Sequence, residues 1–438
     1  MQVQINKVRV IDKQSKFHNQ LVNLVVSEGI IISIKPVSKA EEKKAFSIAT
    51  DEAPASKIQT QELIDEVFIS QGWVDVLADY REPGYEQKET IETGMSAAAA
   101  AGFTDVMLAP NTTPASCNKG AIQYILQKAA GNVVNLHPIG SASQNTEGKE
   151  LAEMLDMHNN GAIAFSDGWK PLQNANLMLK VLEYVKAFNG TIIQLPIDEP
   201  LSRGGLMSEG VMSTSLGMPG IPLMAETLMV YRDLELLRYT GSKLHITGIS
   251  TSASLELIKK AKADGLSVTC SVTPYHLALT EDILSGYDSN YKVFPPLRSN
   301  TEREALISAV IDGTIDCIAS HHRPHEWDAK TKEFEYAADG MAVQELCYHI
   351  LWSTLSKHIN EERLTEMLAI APRRIFGIAP ATIAKGAKAS LTLFTSAGKH
   401  TLHKSGKKSK GINNPFFGKE LPGAVLGIIN NGKLKWNK

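Results

Sequence analysis

Cysteine is scarce and dispersed. Four residues in 438, at Cys117, Cys270, Cys317 and Cys347, stand far apart with no C-x-x-C spacing, which argues against a disulfide framework and for a reduced protein. A basic amino-terminal segment followed by an apolar signal stretch is also missing, so the expected location is cytoplasmic. No uncharged apolar run approaches the ~20 residues that span a bilayer, and a transmembrane reading is rejected. Nor is there an excess of either charge. Forty-five Lys and Arg against 47 Asp and Glu leave a formal net charge of −2, so nothing draws the whole chain to nucleic acid or to an anionic membrane. Small molecules or proteins are the expected partners. Tandem repeats and low-complexity segments are absent from the middle of the chain.

The length suits a (β/α)8 TIM-type barrel of ~250 residues or more with a small satellite domain. Residues 1 to 70 carry short alternating runs, such as Val3-Gln4-Ile5 and Leu21 to Val26, punctuated by Gly29 and Pro36. That is strand patterning. From Ala40 to Thr60 the chain is rich in Lys, Glu, Ala and Ser, and is expected as a surface loop or weak helix. The tail mirrors the head. Ser390 to Phe394 and Ala424 to Ile429 read as strands, and Asn430-Asn431-Gly432 as a tight hairpin turn before Lys433 to Trp436. Head and tail are expected to pair, residues 1–70 with 385–438, into a small β-sandwich domain beside a barrel at 71–384.

Between them, apolar runs alternate with helix-period segments. The runs are Thr104 to Leu108, Ala162 to Phe165, Thr191 to Leu195, Lys243 to Ile246, Ser267 to Cys270 and Asp316 to Ala319; Ser254 to Ala261 places apolar residues at i, i+3 and i+4. Repeated β then α means parallel strands. A doubly wound sheet would want a glycine-rich phosphate turn after its first strand, and Gly84 to Gly94 supplies none.

The first barrel strand, Trp73 to Leu77, runs into Ala78-Asp79-Tyr80-Arg81-Glu82-Pro83-Gly84. In a barrel the carboxyl ends of the strands face one pocket, so Asp75, Asp79, Arg81 and Glu82 fall where chemistry is done. Further strand ends carry Ala109-Pro110-Asn111-Thr112-Thr113-Pro114, Ala164-Phe165-Ser166-Asp167-Gly168-Trp169, Leu195-Pro196-Ile197-Asp198 followed by Gly204 to Gly210, and His245-Ile246-Thr247-Gly248-Ile249-Ser250-Thr251. Val272-Thr273-Pro274-Tyr275-His276-Leu277, Lys292 to Arg298 and Ile318-Ala319-Ser320-His321-His322-Arg323-Pro324-His325 complete the series. Taken alone, Asn111 beside prolines is a turn residue, Asp167 before Gly168 a capping residue, and His245 in a strand a hydrogen-bonded core histidine.

In order and spacing these stretches resemble the dihydroorotases of the amidohydrolase superfamily, the metal enzymes that close carbamoyl aspartate to dihydroorotate in pyrimidine synthesis. The match is close from about residue 67 to 384 and again from Asn414 to Gly432. The resemblance implies a zinc site, but its histidine positions read Leu77, Asp79, Leu195 and Gly248. The position of the family's aspartate, ligand and proton-transfer base, reads His321. Asp167 is at best the one surviving ligand, and Phe294 replaces an asparagine that holds the pyrimidine ring. Metal-assisted opening of a cyclic amide needs about three or four protein ligands and a carboxylate to move the proton. The expectation is therefore a homologue without zinc or confident catalytic residues, kept for assembly or ligand binding.

The alternative is an active dihydroorotase or other cyclic amidohydrolase whose metal site is rebuilt from Asp79, Asp167, His321 and His322. The resemblance assigns Arg81, Asn111 and His325 to the substrate carboxylate, which an arginine fork suits; Arg81 pairing with Asp75 or Asp79 would equally explain its presence. With Arg323 in place of the family's alanine, and His321, His322 and His325 gaining charge toward pH ~6.5, the mouth is expected to attract small carboxylates. The resemblance further implies a homodimer and association with aspartate transcarbamoylase.

Overall fold

A computed structural model describes residues 1–39, 43, 45–51 and 66–437. The head of the chain forms β1 (Gln2–Ile11), β2 (Leu21–Ser27), β3 (Ile30–Pro36), β4 (Ser47–Thr50) and β5 (Phe68–Gln71). Along β2, Val22, Leu24 and Val26 turn inward while their neighbours are half-exposed, the period of two that a one-sided sheet requires. Of the 40–60 stretch, residues 40–42, 44 and 52–60 lie outside the described residues. Its middle corrects the loop or weak-helix expectation, because β4 adds to β1 in the register Val3↔Thr50 to Asn6↔Ser47, burying Ile48.

The barrel follows as β6 (Trp73–Ala78), β7 (Phe103–Leu108), β8 (Asn135–Gly140), β9 (Ala164–Phe165) and β10 (Ile192–Gln194). A short outlying pair comes next, β11 (Met207–Ser208) and β12 (Gly220–Ile221), and then β13 (Leu244–Thr247), β14 (Val268–Val272) and β15 (Cys317–Ile318). Their order is β15-β14-β13-β10-β9-β8-β7-β6, all parallel. The ring closes where His321 N donates to Leu77 O at 3.1 Å and Asp79 N donates to His322 O at 2.9 Å. Every residue of β6 and β7 is buried, as strands covered by helices on one face and barrel interior on the other must be. The interior layer includes Val74, Val76, Leu77, Met107, Ile139, Ile193 and Cys317. Strand β8 had no counterpart among the sequence expectations. Pro138 and the polar Asn135 and His137 hide its apolar residues.

The tail supplies β16 (Leu391–Thr401), β17 (Glu420–Asn430) and β18 (Lys433–Trp436), which join β5 and the head strands in one sheet, β18-β17-β16-β5-β1-β2-β3. Asn430 pairs with Lys433 across Asn431-Gly432, both at positive φ (51° and 71°), the two-residue turn that Asn-Gly favours. Valines, isoleucines and leucines of both chain ends share one core, among them Val3, Ile5, Leu24, Leu391, Leu393 and Ile429. No helix of the described residues is long and apolar enough to cross a membrane.

Candidate functional site

The turn after β6 is built around Asp79. Its carboxylate accepts from Arg81 N (3.0 Å) and Trp169 Nε1 (2.9 Å) and forms an ion pair with Arg81 Nη1 at 3.0 Å, and Asp79 is 1% exposed. Of the two partners considered for Arg81, Asp79 is the one used. Asp75 instead accepts from Ser320 and from Gln344 Nε2 (2.7 Å), locking β6 to the end of β15. Arg81 sits at φ 62°, a left-handed conformation that a non-glycine residue adopts at a cost. Its Nε reaches Pro324 O at 3.3 Å and its Nη2 lies 3.3 Å from His325 Nε2. His325 Nε2 is also 2.9 Å from Asp339 O, and Nδ1 is 3.4 Å from Lys88 Nζ. A proton on Nε2 satisfies both contacts, leaving Arg81 Nη2 free to donate outward.

Three of the family's ligand positions pack on one another. Gly248, at φ +72°, leaves room for the His321 ring: a Cβ there would stand 2.6 Å from His321 Cε1 and 3.2 Å from Leu195 Cδ1. His321 Nε2 is 2.8 Å from Thr247 Oγ1, which receives Ser271 Oγ at 3.0 Å, and Ser271 Oγ lies 3.0 Å from His245 Nε2. His245, with Thr269 Oγ1 at 2.9 Å on its other nitrogen, is the buried hydrogen-bonded histidine that its strand position suggests. Leu77 is buried in the barrel interior.

The four residues of a rebuilt site do not converge. The Asp167 carboxylate accepts from Ala142 N (3.0 Å), Ser143 N (2.9 Å) and the Ser143 hydroxyl, holding two loops together; burial raises its pKa. His322 turns the other way, with Nε2 3.5 Å from Glu89 and Nδ1 accepting from Gln344 N at 3.3 Å. The expectation that it faces the mouth fails because the chain turns at His321 (φ 47°), beyond the end of β15, and His322 is bridged to Ala78 and Met341 with its ring toward Glu89. Leu77, Leu195 and Gly248 offer no lone pair, and among the described residues no three of His, Cys, Asp and Glu are grouped to hold a metal ion. The side chains present do not fit the zinc of the resemblance.

Asn111 donates to Asp167 O at 2.9 Å and accepts from Trp169 N at 3.0 Å. It thus clamps the Trp169 loop, and it also lines a cavity of about 580 Å³ together with Arg81, Lys88, Trp169, Lys170, Arg323 and His325. No lining residue is acidic. His321 and His325 add no charge near pH 6.5, contrary to expectation. Burial, with the charges of His276, Arg323 and His245 behind it, lowers His321 to about 3. Burial beside Arg81, Arg323 and Lys88 pushes His325 far down as well. The permanent charge is that of arginine and lysine. Lys88 and Lys170 were not singled out from the sequence, and Trp169 closed the Ala164 to Trp169 stretch without a role; only the fold brings them to the mouth.

A parallel barrel closed beside a sheet from both chain ends, with its polar groups at the strands' carboxyl ends, is the architecture of the amidohydrolase superfamily. The solved structure of L-hydantoinase (dihydropyrimidinase) from Arthrobacter aurescens superposes with a TM-score of 0.81 at 21% identity, covering 98% of this chain and 95% of that one. The family model described as dihydro-orotase-like matches residues 67–254. The dihydroorotase of Syntrophus aciditrophicus (strain SB) is 36% identical over 442 residues, covering 100% of both chains, and that of Pelotomaculum thermopropionicum is 38% identical over 424 residues, covering 94% of this chain and 98% of the relative. The chain belongs to the dihydroorotase family.

Proposed function

We propose that this chain is a non-catalytic member of its family, acting in pyrimidine biosynthesis in the cytoplasm by binding a small carboxylate at the barrel mouth or by supporting an assembly. The observation that carries this reading is the packing of Leu195, Gly248 and His321 into each other's space. Apolar contact and a ring held by Thr247 fill the place where metal ligands and a proton-transfer carboxylate would be needed. Arg81 keeps outward donors and has His325, Lys88 and Asn111 around it, so a carboxylate there would gain charge-assisted hydrogen bonds of about 1.5–3 kcal/mol each before association costs. A homodimer and an association with aspartate transcarbamoylase belong to the same proposal and rest on the family resemblance.

A second reading, an active cyclic amidohydrolase, draws support from relatives that bear the name dihydroorotase over the whole length. One experiment separates the two: purified protein, saturated in turn with Zn²⁺, Mn²⁺ and Co²⁺, is assayed for interconversion of carbamoyl aspartate and dihydroorotate. No turnover above the metal-only control is expected, while propionate binds at millimolar concentration and is lost in Arg81→Ala. Metal-dependent turnover would sink the proposal.

A further inference from the structure

Arg323 is the cation at the mouth whose hydrogen-bonding capacity is unused. Among the described residues its guanidinium has neither a hydrogen-bond partner nor an ion pair, and its Nε is fully buried without an acceptor. It is nevertheless held in place. The stem lies against Gly340, where a Cβ would stand 2.9 Å from Arg323 Cβ, Cγ and Cδ, and the guanidinium carbon lies 4.9 Å from the centre of the Trp169 ring. Trp169 is itself fixed by its bonds to Asp79 and Asn111. A flat, flanked guanidinium with free donors is preorganised for an anion, because little side-chain entropy remains to be lost.

The cations of the same cavity are not equally paired. Arg81 is matched by Asp79 at 3.0 Å and Lys88 by Glu326 at 3.8 Å. Arg323 and Lys170 have acidic neighbours only at longer range, Asp339 and Asp79 for the first and Asp167 for the second. Arg81 and Arg323 repel each other across the cavity, which lowers the Arg323 pKa after the larger effect of burial. A ligand with one anionic group, held at Arg81, would leave the donors of Arg323 unused.

We propose that Arg323 makes this a site for ligands with two anionic charges, one group held at Arg81 and the second on the Arg323 fork. The ligand would be a dicarboxylate, or a phosphate monoester whose phosphoryl oxygens bridge the two guanidiniums. This rests on the reading of the mouth as a carboxylate site and adds its selectivity. Binding of propionate, succinate, glutarate and phenyl phosphate is measured calorimetrically at pH 7.5 with the full chain, its Arg323→Gln and Arg323→Lys variants, and Arg81→Ala. Succinate or glutarate is expected to bind at least tenfold tighter than propionate; a like advantage for phenyl phosphate alone identifies the phosphoryl source. In Arg323→Gln the advantage falls to less than threefold, the dianions losing more than propionate does, and Arg323→Lys, with charge but no fork, retains part of it. Far-ultraviolet circular dichroism matched to the parent protein is required of each variant. Propionate binding with no preference for dianions, or a preference that survives Arg323→Gln, overturns this inference and leaves the carboxylate site standing. Failure of all four probes overturns both.

Discussion

Gly248 and His321 exclude each other's alternatives: a side chain at Gly248 would enter the His321 ring, with 2.6 Å between the new Cβ and Cε1. Gly248→Ala should therefore cost about 1–3 kcal/mol from overpacking, plus strain from a left-handed φ of +72°. In the double variant with His321→Ala the clash disappears and the φ strain remains. Urea unfolding of the four members of the cycle should show a coupling of about 1 kcal/mol or more, in the sense that the double variant is more stable than the singles sum to. Additive losses would mean that the two residues do not meet.

The zinc position makes a separate prediction. Elemental analysis of protein purified without chelators, then dialysed against micromolar Zn²⁺, should find well under one ion per chain, because Leu77, Leu195 and Gly248 carry no donor, Asp167 already accepts three hydrogen bonds, and Asp79 accepts two and is paired with Arg81. Stoichiometric zinc that persists through gel filtration, and is lost in His321→Asn, would show a rebuilt site.

A large part of this was legible in the sequence. The parallel alternation of strand and helix, the pairing of the two chain ends and the Asn431-Gly432 turn all follow from local pattern. Strand β8 was hidden by Pro138, and β4 by a polar context in which only Ile48 is buried. The direction in which a side chain leaves its strand was harder still. His321 and His322 are neighbours, yet one packs on Gly248 and the other meets Glu89. Charge states failed for the same reason, since desolvation depends on what the fold places around a ring.

Acid should reveal the buried state of His321. Its folded pKa is about 3, below the unfolded ~6.5, so the folded form excludes a proton that the unfolded chain takes up. Its contribution is fully present above pH ~6.5 and is lost as pH falls toward 3, by up to about 1.4 kcal/mol per pH unit. Relative to His321→Asn, the parent protein should lose stability between pH 6.5 and 4.5 in urea titrations. A constant difference would place a charged or solvated imidazole at 321. Propionate binding, by contrast, should be nearly flat from pH 8 to 5.5, because His321 and His325 stay neutral.

The Asp79 and Arg81 pair should separate stability from binding. Asp79 is 1% exposed, accepts hydrogen bonds from Arg81 N and Trp169 Nε1, and forms an ion pair with the Arg81 guanidinium. Asp79→Asn keeps the shape and part of the hydrogen bonding but removes the charge that neutralises Arg81. Breaking a buried pair from one side leaves an uncompensated charge and costs about 3–5 kcal/mol when desolvation is complete. Here Arg81 borders a cavity, so a loss of about 2–3 kcal/mol is expected. The same unmatched guanidinium then has more to gain from an incoming anion. Asp79→Asn should bind propionate more tightly, by roughly three- to tenfold, corresponding to ~1 kcal/mol. Arg81→Ala should also destabilise, yet bind propionate no better than buffer. Unfolding curves and calorimetry on the two variants give the comparison. Weaker binding in Asp79→Asn would mean that the carboxylate holds Arg81 in its productive orientation; unchanged binding in both would mean that Arg81 does not face the ligand and serves only as the ion-pair partner of Asp79.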